Sequence, residues 1–335
     1  MEKVKLSDNI IELNRDVESL VVQGAAGRTI FFGDKYRPLQ FVHCSDMHNR
    51  PDLFSRMTEY ADYYERYLSF VLHTGDYCGG CQTEYTDLYE HSKCTMPIYN
   101  CVGNHDKEEN LDWEKGMPKK ATKKSVYEKL FNHTNGWDVE FAPVENSMSY
   151  YKDFPDNGVR LVVLDYYYDI EEQGAWLRSV LCEAKQKGFH VITAMHEPTA
   201  EISNQLDVTF NSINDFSMIK SRRKKSLYEE IIAEFIADGG IHVCNLAGHL
   251  HHDVFGYTDD GVLNCIVECG TAWRWQCDGD RAEGTRTFDS FNVTSVDYAT
   301  GTLKLIRVGN NADNFLRIKR CLCYDYINKK VIYNG

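Results

Sequence analysis

Short apolar runs alternate with helical patterns over most of the first 250 residues. Residues 39–44 form a buried-strand pattern, and the following segment places apolar side chains on one helical face: Leu53, Phe54, Met57, Ala61, Tyr64 and Leu68. Further strands are predicted at residues 70–74, 97–102, 160–164, 191–194 and 241–246. This alternation is typical of an α/β sandwich.

Two further helices have recognisable ends. An apolar stripe from Trp176 to Ala184 is followed by Gly188, a residue type that commonly ends a helix. Ser226 and Glu229 form a capping-box pattern, which predicts a helix that runs through residue 237 and stops at residue 239.

The pattern changes to strands and turns after residue 252. Strands are predicted at residues 262–269, 288–296 and 302–308 and in the last fifteen residues, with a hairpin connection at 298–301. We expect a β extension at residues 1–38 packed on the core, a main domain at 39–310, and a C-terminal β-hairpin at 311–335 in the same globular unit.

The composition adds limits on location and partners. The chain of 335 residues lacks a run of about 18 apolar residues and an N-terminal apolar segment, so we expect neither a membrane helix nor a secretory signal. The net charge of −13 disfavours long duplex nucleic acid and anionic membranes, but it permits a small anionic ligand. The oligomeric state is not legible in the sequence.

The cysteines point to a reducing compartment. Twelve cysteines without a signal segment are read as free thiols, which predicts a cytoplasmic location. Cys78 and Cys81 form a single C-x-x-C pair. Because zinc sites usually need a second pair, we assign this one a structural or incidental role.

Residues that can bind metal ions follow the predicted strands. They are Asp46 and His48, Asp76, Asn104 with His105 and Asp106, His196, and His249 with His251. Loops at the carboxyl ends of strands converge on one crevice in open α/β sheets. Carboxylate, imidazole and amide donors suit Mn, Fe or Zn, and there are more of them than one ion uses. The set therefore predicts two divalent metal ions per chain, an arrangement suited to displacement at phosphorus.

The order D-x-H, G-D, G-N-H-D, H, G-H-x-H resembles the calcineurin-like metallophosphoesterase family. Twenty-six residues separate His48 from Gly75, and twenty-six separate Asp76 from Gly103, close to the family's spacing. Taken singly each motif is weak evidence, but five in this order are not. The resemblance covers about residues 39–310 and implies a four-layer α/β/β/α sandwich of the metallo-dependent phosphatase type, with mixed sheets and a dimetal site at the sheet edge.

The resemblance also implies a role for each site residue. The first metal would be held by Asp46, His48 and His251. The second would be held by Asn104, His196 and His249. Asp76 would bridge both metals, His105 would face the substrate, and Asp106 would orient His105. His252 is out of register with the motif and is expected to be a bystander.

The implied reaction is hydrolysis of a phosphate ester. Two cations lower the pKa of a bridging water, and an imidazole such as that of His105 can protonate the leaving alkoxide. We expect a small phosphomonoester as substrate. A phosphodiesterase or nuclease of the same family is the alternative within this class, and a scaffold that lost its chemistry is the alternative outside it, although no ligand is missing.

Substrate-contacting residues are less clearly marked. Tyr77, Trp273, Arg274 and Trp275 are candidates, since Arg can bind phosphate oxygens and Trp can stack on a ring. The alternative for residues 273–275 is that they only pack their loop. Residues 166–168, all Tyr, are predicted to pack under a loop, and the basic run 222–225 is predicted to be a solvated surface.

Overall fold

The computed structural model describes residues 38–48, 50–77, 94–109, 119–131, 138–204, 223–251, 253–267, 270, 290–309 and 321–334. The predictions for the N-terminal extension, for Cys78 and Cys81, for His252 and for residues 273–275 lie outside these ranges, apart from residue 38.

The strands and helices are numbered here in chain order. The strands are β1 (Leu39–Cys44), β2 (Val71–His73), β3 (Ile98–Asn100), β4 (Glu108–Glu109), β5 (Lys119–Lys120), β6 (Glu140–Phe141), β7 (Tyr150–Phe154), β8 (Val159–Val163), β9 (His190–Ala194), β10 (His242–Ala247), β11 (Val254–Tyr257), β12 (Leu263–Ile266), β13 (Ser290–Asp297), β14 (Thr302–Gly309), β15 (Cys321–Asp325) and β16 (Lys330–Asn334). The helices are α1 (Pro51–Tyr63), α2 (Lys123–Phe131), α3 (Ile170–Lys187) and α4 (Leu227–Ala237), with a 3₁₀ turn at Pro155–Asn157.

Two mixed sheets of seven strands form the framework. The first has the order β16-β15-β14-β13-β1-β2-β3, and the second has the order β11-β12-β10-β9-β8-β7-β6. In the first sheet β1, β2 and β3 are parallel, whereas β13 runs antiparallel to β1. In the second sheet β8, β9, β10 and β12 are parallel. The parallel strands therefore present their carboxyl ends at one edge of each sheet.

The alternation of buried side chains shows how the sheets are layered. On β8, Leu161 and Val163 belong to the core shared with the first sheet, while Val162 belongs to the core beneath the helices α3 and α4. Because successive strand residues point to opposite faces, the second sheet is buried on both sides. Helix α1 joins the first core through residues such as Phe54 and Met57. The predicted four-layer α/β/β/α sandwich with mixed sheets is confirmed.

The predicted helix ends are also present. Gly188 follows α3 in the left-handed conformation, with φ of 71°, and its N–H bonds back to the carbonyl groups of Ala184 and Lys185. Ser226 and Glu229 form the reciprocal capping box at the start of α4. Helix α2 and strands β4, β5, β6, β7 and β11 were not predicted. These strands have only two to five residues each, and tertiary pairing defines them.

The helices in the described ranges are all too short or too polar to span a lipid bilayer.

A buried acid at the end of β8 makes the stability of the fold depend on pH. Asp165 is fully buried, its Oδ1 accepts the N–H of Tyr167, and its Oδ2 has no hydrogen-bond partner among the described residues. Burial raises the pKa of Asp165 from its ordinary 3.8 to about 7, although the backbone N–H groups of Tyr167 and Tyr168 act in the opposite direction. Ionisation of Asp165 therefore opposes folding.

We expect Asp165→Asn to stabilise the protein at pH 8 and to have little effect near pH 4. The folded-state pKa lies above the unfolded one, so the wild type loses stability as pH rises from about 4 to about 7, by at most about 4 kcal/mol. The asparagine keeps the acceptor for Tyr167 and carries no charge. Urea unfolding of both proteins at about pH 5 and about pH 8 measures the difference, and an equal difference at the two pH values would contradict the assignment.

Candidate metal centre

The loops after five parallel strands bring the predicted ligands together. Asp46 and His48 follow β1, Asp76 follows β2, Asn104 follows β3, His196 follows β9, and His249 and His251 follow β10. The loops are tied to one another by backbone hydrogen bonds, among them Asp46 N–H to Gly75 O at 3.0 Å and Gly248 N–H to His196 O at 3.0 Å. The site therefore rests on both sheets.

The first cluster contains Asp46, His48 and His251. The Nε2 atoms of His48 and His251 lie 3.2 Å apart, and Nε2 of His251 lies 3.2 Å from Oδ1 of Asp46. All three side chains are buried, and their donor atoms lie within 4.8 Å of one another. This is the set predicted for the first metal ion.

The second cluster is centred on the side-chain oxygen of Asn104. Oδ1 of Asn104 lies 3.1 Å from Nε2 of His196 and 3.0 Å from Nδ1 of His249. Nε2 of His196 also lies 3.2 Å from Oδ2 of Asp76. This is the set predicted for the second metal ion.

Asp76 belongs to both halves of the site. Its donor atoms group with those of His48 and His105, and separately with those of Asp46 and His196, each group within 4.8 Å. Its Oδ1 also accepts the backbone N–H of His105 at 2.8 Å. Asp76 therefore stands where a bridging carboxylate would stand.

The chemistry of His196 tests whether a cation fits here. Its Nδ1 lies 2.7 Å from the carbonyl oxygen of Thr74, which can only accept a hydrogen bond, so Nδ1 carries the proton. The Nε2 lone pair of the neutral ring then points at oxygen atoms of Asp76 and Asn104, which are acceptors as well. A positive charge at Nε2 resolves the conflict, either as a proton or as a divalent cation, and carboxylate, amide and imidazole donors suit such an ion. The residues therefore fit a metal.

The electrostatics of the site also favour cations. Burial acts to lower the pKa of His196, but Asp76, Asp46 and the hydrogen bonds outweigh burial and raise it to about 9. Burial lowers the pKa of His48 and of His249 to about 4 in each case, so both rings are neutral and can act as ligands. The negative potential at Nε2 of His196 thus favours a positive charge there.

The ligands are held in an uncommon backbone conformation. Five of the seven predicted ligands have positive φ: Asp46 (55°), His48 (43°), Asp76 (56°), His249 (68°) and His251 (58°). Residues other than glycine seldom adopt this region, and such strain is concentrated at functional sites. The rest of the fold therefore forces these side chains toward a common point.

Glycines stand before several of the predicted ligands, where the backbone comes close to ligand atoms. A Cβ on Gly75, which has φ of 99°, would lie 2.6 Å from Nδ1 of His196 and 2.8 Å from the backbone nitrogen of Gly103. A Cβ on Gly103 would collide with the carboxylate of Asp76. Only glycine allows the backbone to pack against the ligand atoms here.

Asp106 makes contacts that the family resemblance did not imply. Its Oδ2 accepts the N–H groups of Asp76 and Gly103 at 2.9 and 2.7 Å, and its Oδ1 accepts the N–H of Tyr77 at 2.9 Å. The carboxylate is fully buried. Asp106 therefore fastens the loop after β2 to the loop after β3, and its orientation of the His105 ring stays a prediction.

The predicted pocket-lining role of Tyr77 is not supported. Its side chain is fully buried, stacks on His73 with ring centroids 3.5 Å apart, packs edge-on against Phe54, and donates a hydrogen bond to Asn100. Asp76 thus faces the site, whereas the next side chain, that of Tyr77, faces the core. Tyr77 is a packing residue.

Two residues beside the site, Glu197 and Arg223, were not predicted to belong to it. Arg223, predicted to lie on a solvated surface, has a mostly buried side chain, and its Nη2 lies 2.7 Å from Oε2 of Glu197. Glu197 directly follows the ligand His196, and its Oε1 accepts the hydroxyl of Tyr167 at 2.9 Å. The one sequence signal for this pair was that a carboxylate, Glu197, stands next to the predicted ligand His196.

Comparison with known proteins decides the family. Residues 39–253, more than half of the chain, match the calcineurin-like phosphoesterase family. The chain belongs to this family. It is therefore a metal-dependent phosphoesterase, and its Asp and His clusters supply the ligands for a dinuclear site. No curated protein matches it.

Solved structures resemble this chain at low sequence identity. A dimetal phosphatase from Danio rerio is 13% identical, with a TM-score of 0.55, over 86% of this chain and 99% of that one. GAP50, the anchor in the inner membrane complex of Plasmodium, is 14% identical, with a TM-score of 0.43, over 89% and 88%. A 5'-nucleotidase from Candida albicans is 14% identical, with a TM-score of 0.40, over 87% and 52%.

Proposed function

We propose that this phosphoesterase hydrolyses a small phosphomonoester at two divalent metal ions, with His105 as the general acid. The observation that carries the proposal is the sharing of Asp76 between two ligand clusters. When bound, two such ions would neutralise phosphate oxygens and activate a water molecule. The first ion would be held by Asp46, His48 and His251, and the second by the remaining ligands, Asn104, His196 and His249, with Asp76 common to both.

The partial exposure of His105 supports a role facing the substrate. Its side chain is partly exposed, whereas those of Asp76 and His48 are buried. Its backbone is fixed by the hydrogen bond to Asp76, and its ring lies edge-on to the ring of His48 at a centroid distance of 5.3 Å. An imidazole at this position can deliver a proton to the oxygen that leaves phosphorus.

The charge of the protein bears on the size of the substrate. A net charge of −13 repels long polyanions, whereas two dications facing the two carboxylates of Asp46 and Asp76 leave a locally positive site. A small phosphorylated molecule is attracted by such a site. The described cysteines are free thiols, which fits a reducing compartment such as the cytoplasm.

Metal analysis followed by an ester panel tests the proposal. We expect about two ions of Mn, Fe or Zn per chain, loss of activity after chelation, and recovery when metal is restored. The panel pairs p-nitrophenyl phosphate with bis(p-nitrophenyl) phosphate, and the monoester is expected to be the better substrate. Preference for the diester would favour a phosphodiesterase, and a metal-loaded protein inert on both would contradict hydrolysis.

A further inference from the structure

His73 is a buried histidine beside the metal centre that is not among the predicted ligands. It ends β2, three residues before Asp76, and its side chain is fully buried. Its Nδ1 lies 3.1 Å from the backbone nitrogen of Gly75, and its Nε2 has no hydrogen-bond partner in the described part of the chain. The polar contact of the ring is therefore directed at the loop that carries Asp76.

The contact with Gly75 fixes the protonation state of the ring. A backbone N–H can only donate a hydrogen bond, so Nδ1 of His73 accepts it, and in a neutral imidazole the proton is then carried by Nε2. Burial lowers the pKa of His73 from 6.5 to about 3, although Asp46 acts in the opposite direction, so the ring is neutral. His73 thus presents a hydrogen-bond acceptor at the end of β2.

Packing holds the ring in this orientation. Tyr77 stacks on His73 with ring centroids 3.5 Å apart, and the ring of Phe54 lies edge-on to it at a centroid distance of 6.1 Å. Tyr77 is itself tied to β3, because its hydroxyl donates a hydrogen bond to Asn100. A side chain that is already fixed by its neighbours loses little further freedom when it accepts a hydrogen bond, so Nδ1 is preorganised for the N–H of Gly75.

Gly75 transmits this contact to three of the predicted ligands. Asp76 is the next residue, and the carbonyl oxygen of Gly75 accepts the N–H of Asp46 at 3.0 Å. A Cβ on Gly75 would lie 2.6 Å from Nδ1 of His196, so the glycine backbone packs against that ring as well. The peptide of Gly75, with φ of 99°, therefore fixes the relative positions of these ligands, and Nδ1 of His73 holds that peptide.

We propose that His73 is a positioning residue for the metal centre, which sets the peptide of Gly75 through Nδ1 and thereby places the bridging carboxylate of Asp76. This inference rests on the proposed function, because it takes Asp76 as the bridge between two ions. Partners that orient metal ligands from outside commonly change metal affinity by about 10–100-fold when they are removed. His73 would thus control the affinity for the pair of ions without contacting either of them.

Two substitutions separate this role from simple packing. His73→Asn loses most of the ring but keeps an acceptor, because an asparagine oxygen accepts the N–H two residues further along the chain in the same way. His73→Phe keeps a ring on which Tyr77 can stack but has no acceptor. We expect the affinity for manganese to fall about tenfold or more in His73→Phe and to stay close to the wild-type value in His73→Asn.

Calorimetric titration of the metal-free proteins with Mn²⁺ measures the affinity. Electron paramagnetic resonance of the loaded proteins shows whether two ions are bridged, since bridged manganese ions are magnetically coupled, and we expect the coupling to be lost in His73→Phe and kept in His73→Asn. Urea unfolding of the same proteins measures the stability, with which the affinity would fall in parallel if His73 only packed. His73→Leu, which also lacks an acceptor, repeats the test if phenylalanine prevents folding.

His242 supplies the matched control. Burial lowers its pKa to about 3, its Nε2 lies 3.0 Å from Oγ1 of Thr193, and it begins β10, at the opposite end of that strand from His249. His242→Phe should leave the affinity for manganese unchanged. Wild-type affinity and coupling in His73→Phe, or an equal loss in His73→Asn and His73→Phe, would overturn the positioning role. A wild-type protein that binds no coupled pair of ions would instead remove the bridge, and with it the metal centre of the proposed function.

Discussion

Asp76→Asn is expected to release metal and to lower turnover by about 10²–10³-fold. The donor atoms of Asp76 group with His48 of the first cluster and, separately, with His196 of the second. Its negative charge offsets cations on either side, and the pKa of Asp76 is held well below its usual range by His196 and His105 against the effect of burial. An asparagine keeps the shape but removes the charge, so two cations would face each other across a neutral amide.

The measurement is the metal content of the purified variant together with kcat/KM on p-nitrophenyl phosphate. Asp138→Asn is a suitable control, because the Asp138 side chain is 95% exposed, forms an ion pair with Lys152 and lies far along the sequence from the ligands. Wild-type metal content with full activity in Asp76→Asn would remove Asp76 from the centre. Circular dichroism of the variant, compared with that of the chelated wild type, distinguishes unfolding from loss of metal alone.

His105→Ala should slow esters with poor leaving groups by about 10²–10⁴-fold and aryl esters much less. An alkoxide needs a proton as it departs, whereas a nitrophenolate leaves without one. The ring of His105 is partly exposed at the centre, and its backbone is fixed by Asp76, so the alanine variant keeps the loop's hydrogen bond. The metal ligands are untouched, and metal content should stay at the wild-type level.

The test is a series of phosphate monoesters whose leaving groups span a wide range of acidity. Plotted against the pKa of the leaving group, log(kcat/KM) should fall more steeply for His105→Ala than for the wild type. Parallel lines would rule out proton donation by His105 and leave it a binding role only. A loss of metal in the variant would instead make His105 part of the ligand set.

Much of the fold was legible because its signals are local. Residues 39–44 and the stripe that ends at Gly188 have periodicities set by their own residues, and the capping box at Ser226 is complete within four residues. Strands β6 and β11 have no such local signal, because their formation depends on pairing with β7 and β12.

For the candidate site, too, local sequence signals determined some features and tertiary packing decided the others. The sequence by itself determined the types of the ligand residues, their order after successive strands, and the glycines that leave room for them. These features follow from short segments, because the end of a strand and the conformational freedom of glycine are local properties. Only the tertiary structure decided that Asp106 fastens two loops, that Tyr77 faces the core, and that Lys107 meets Tyr167. Lys107 and Tyr167 are sixty residues apart in the chain, and their contact depends on how the second sheet packs on the first, which no local pattern encodes.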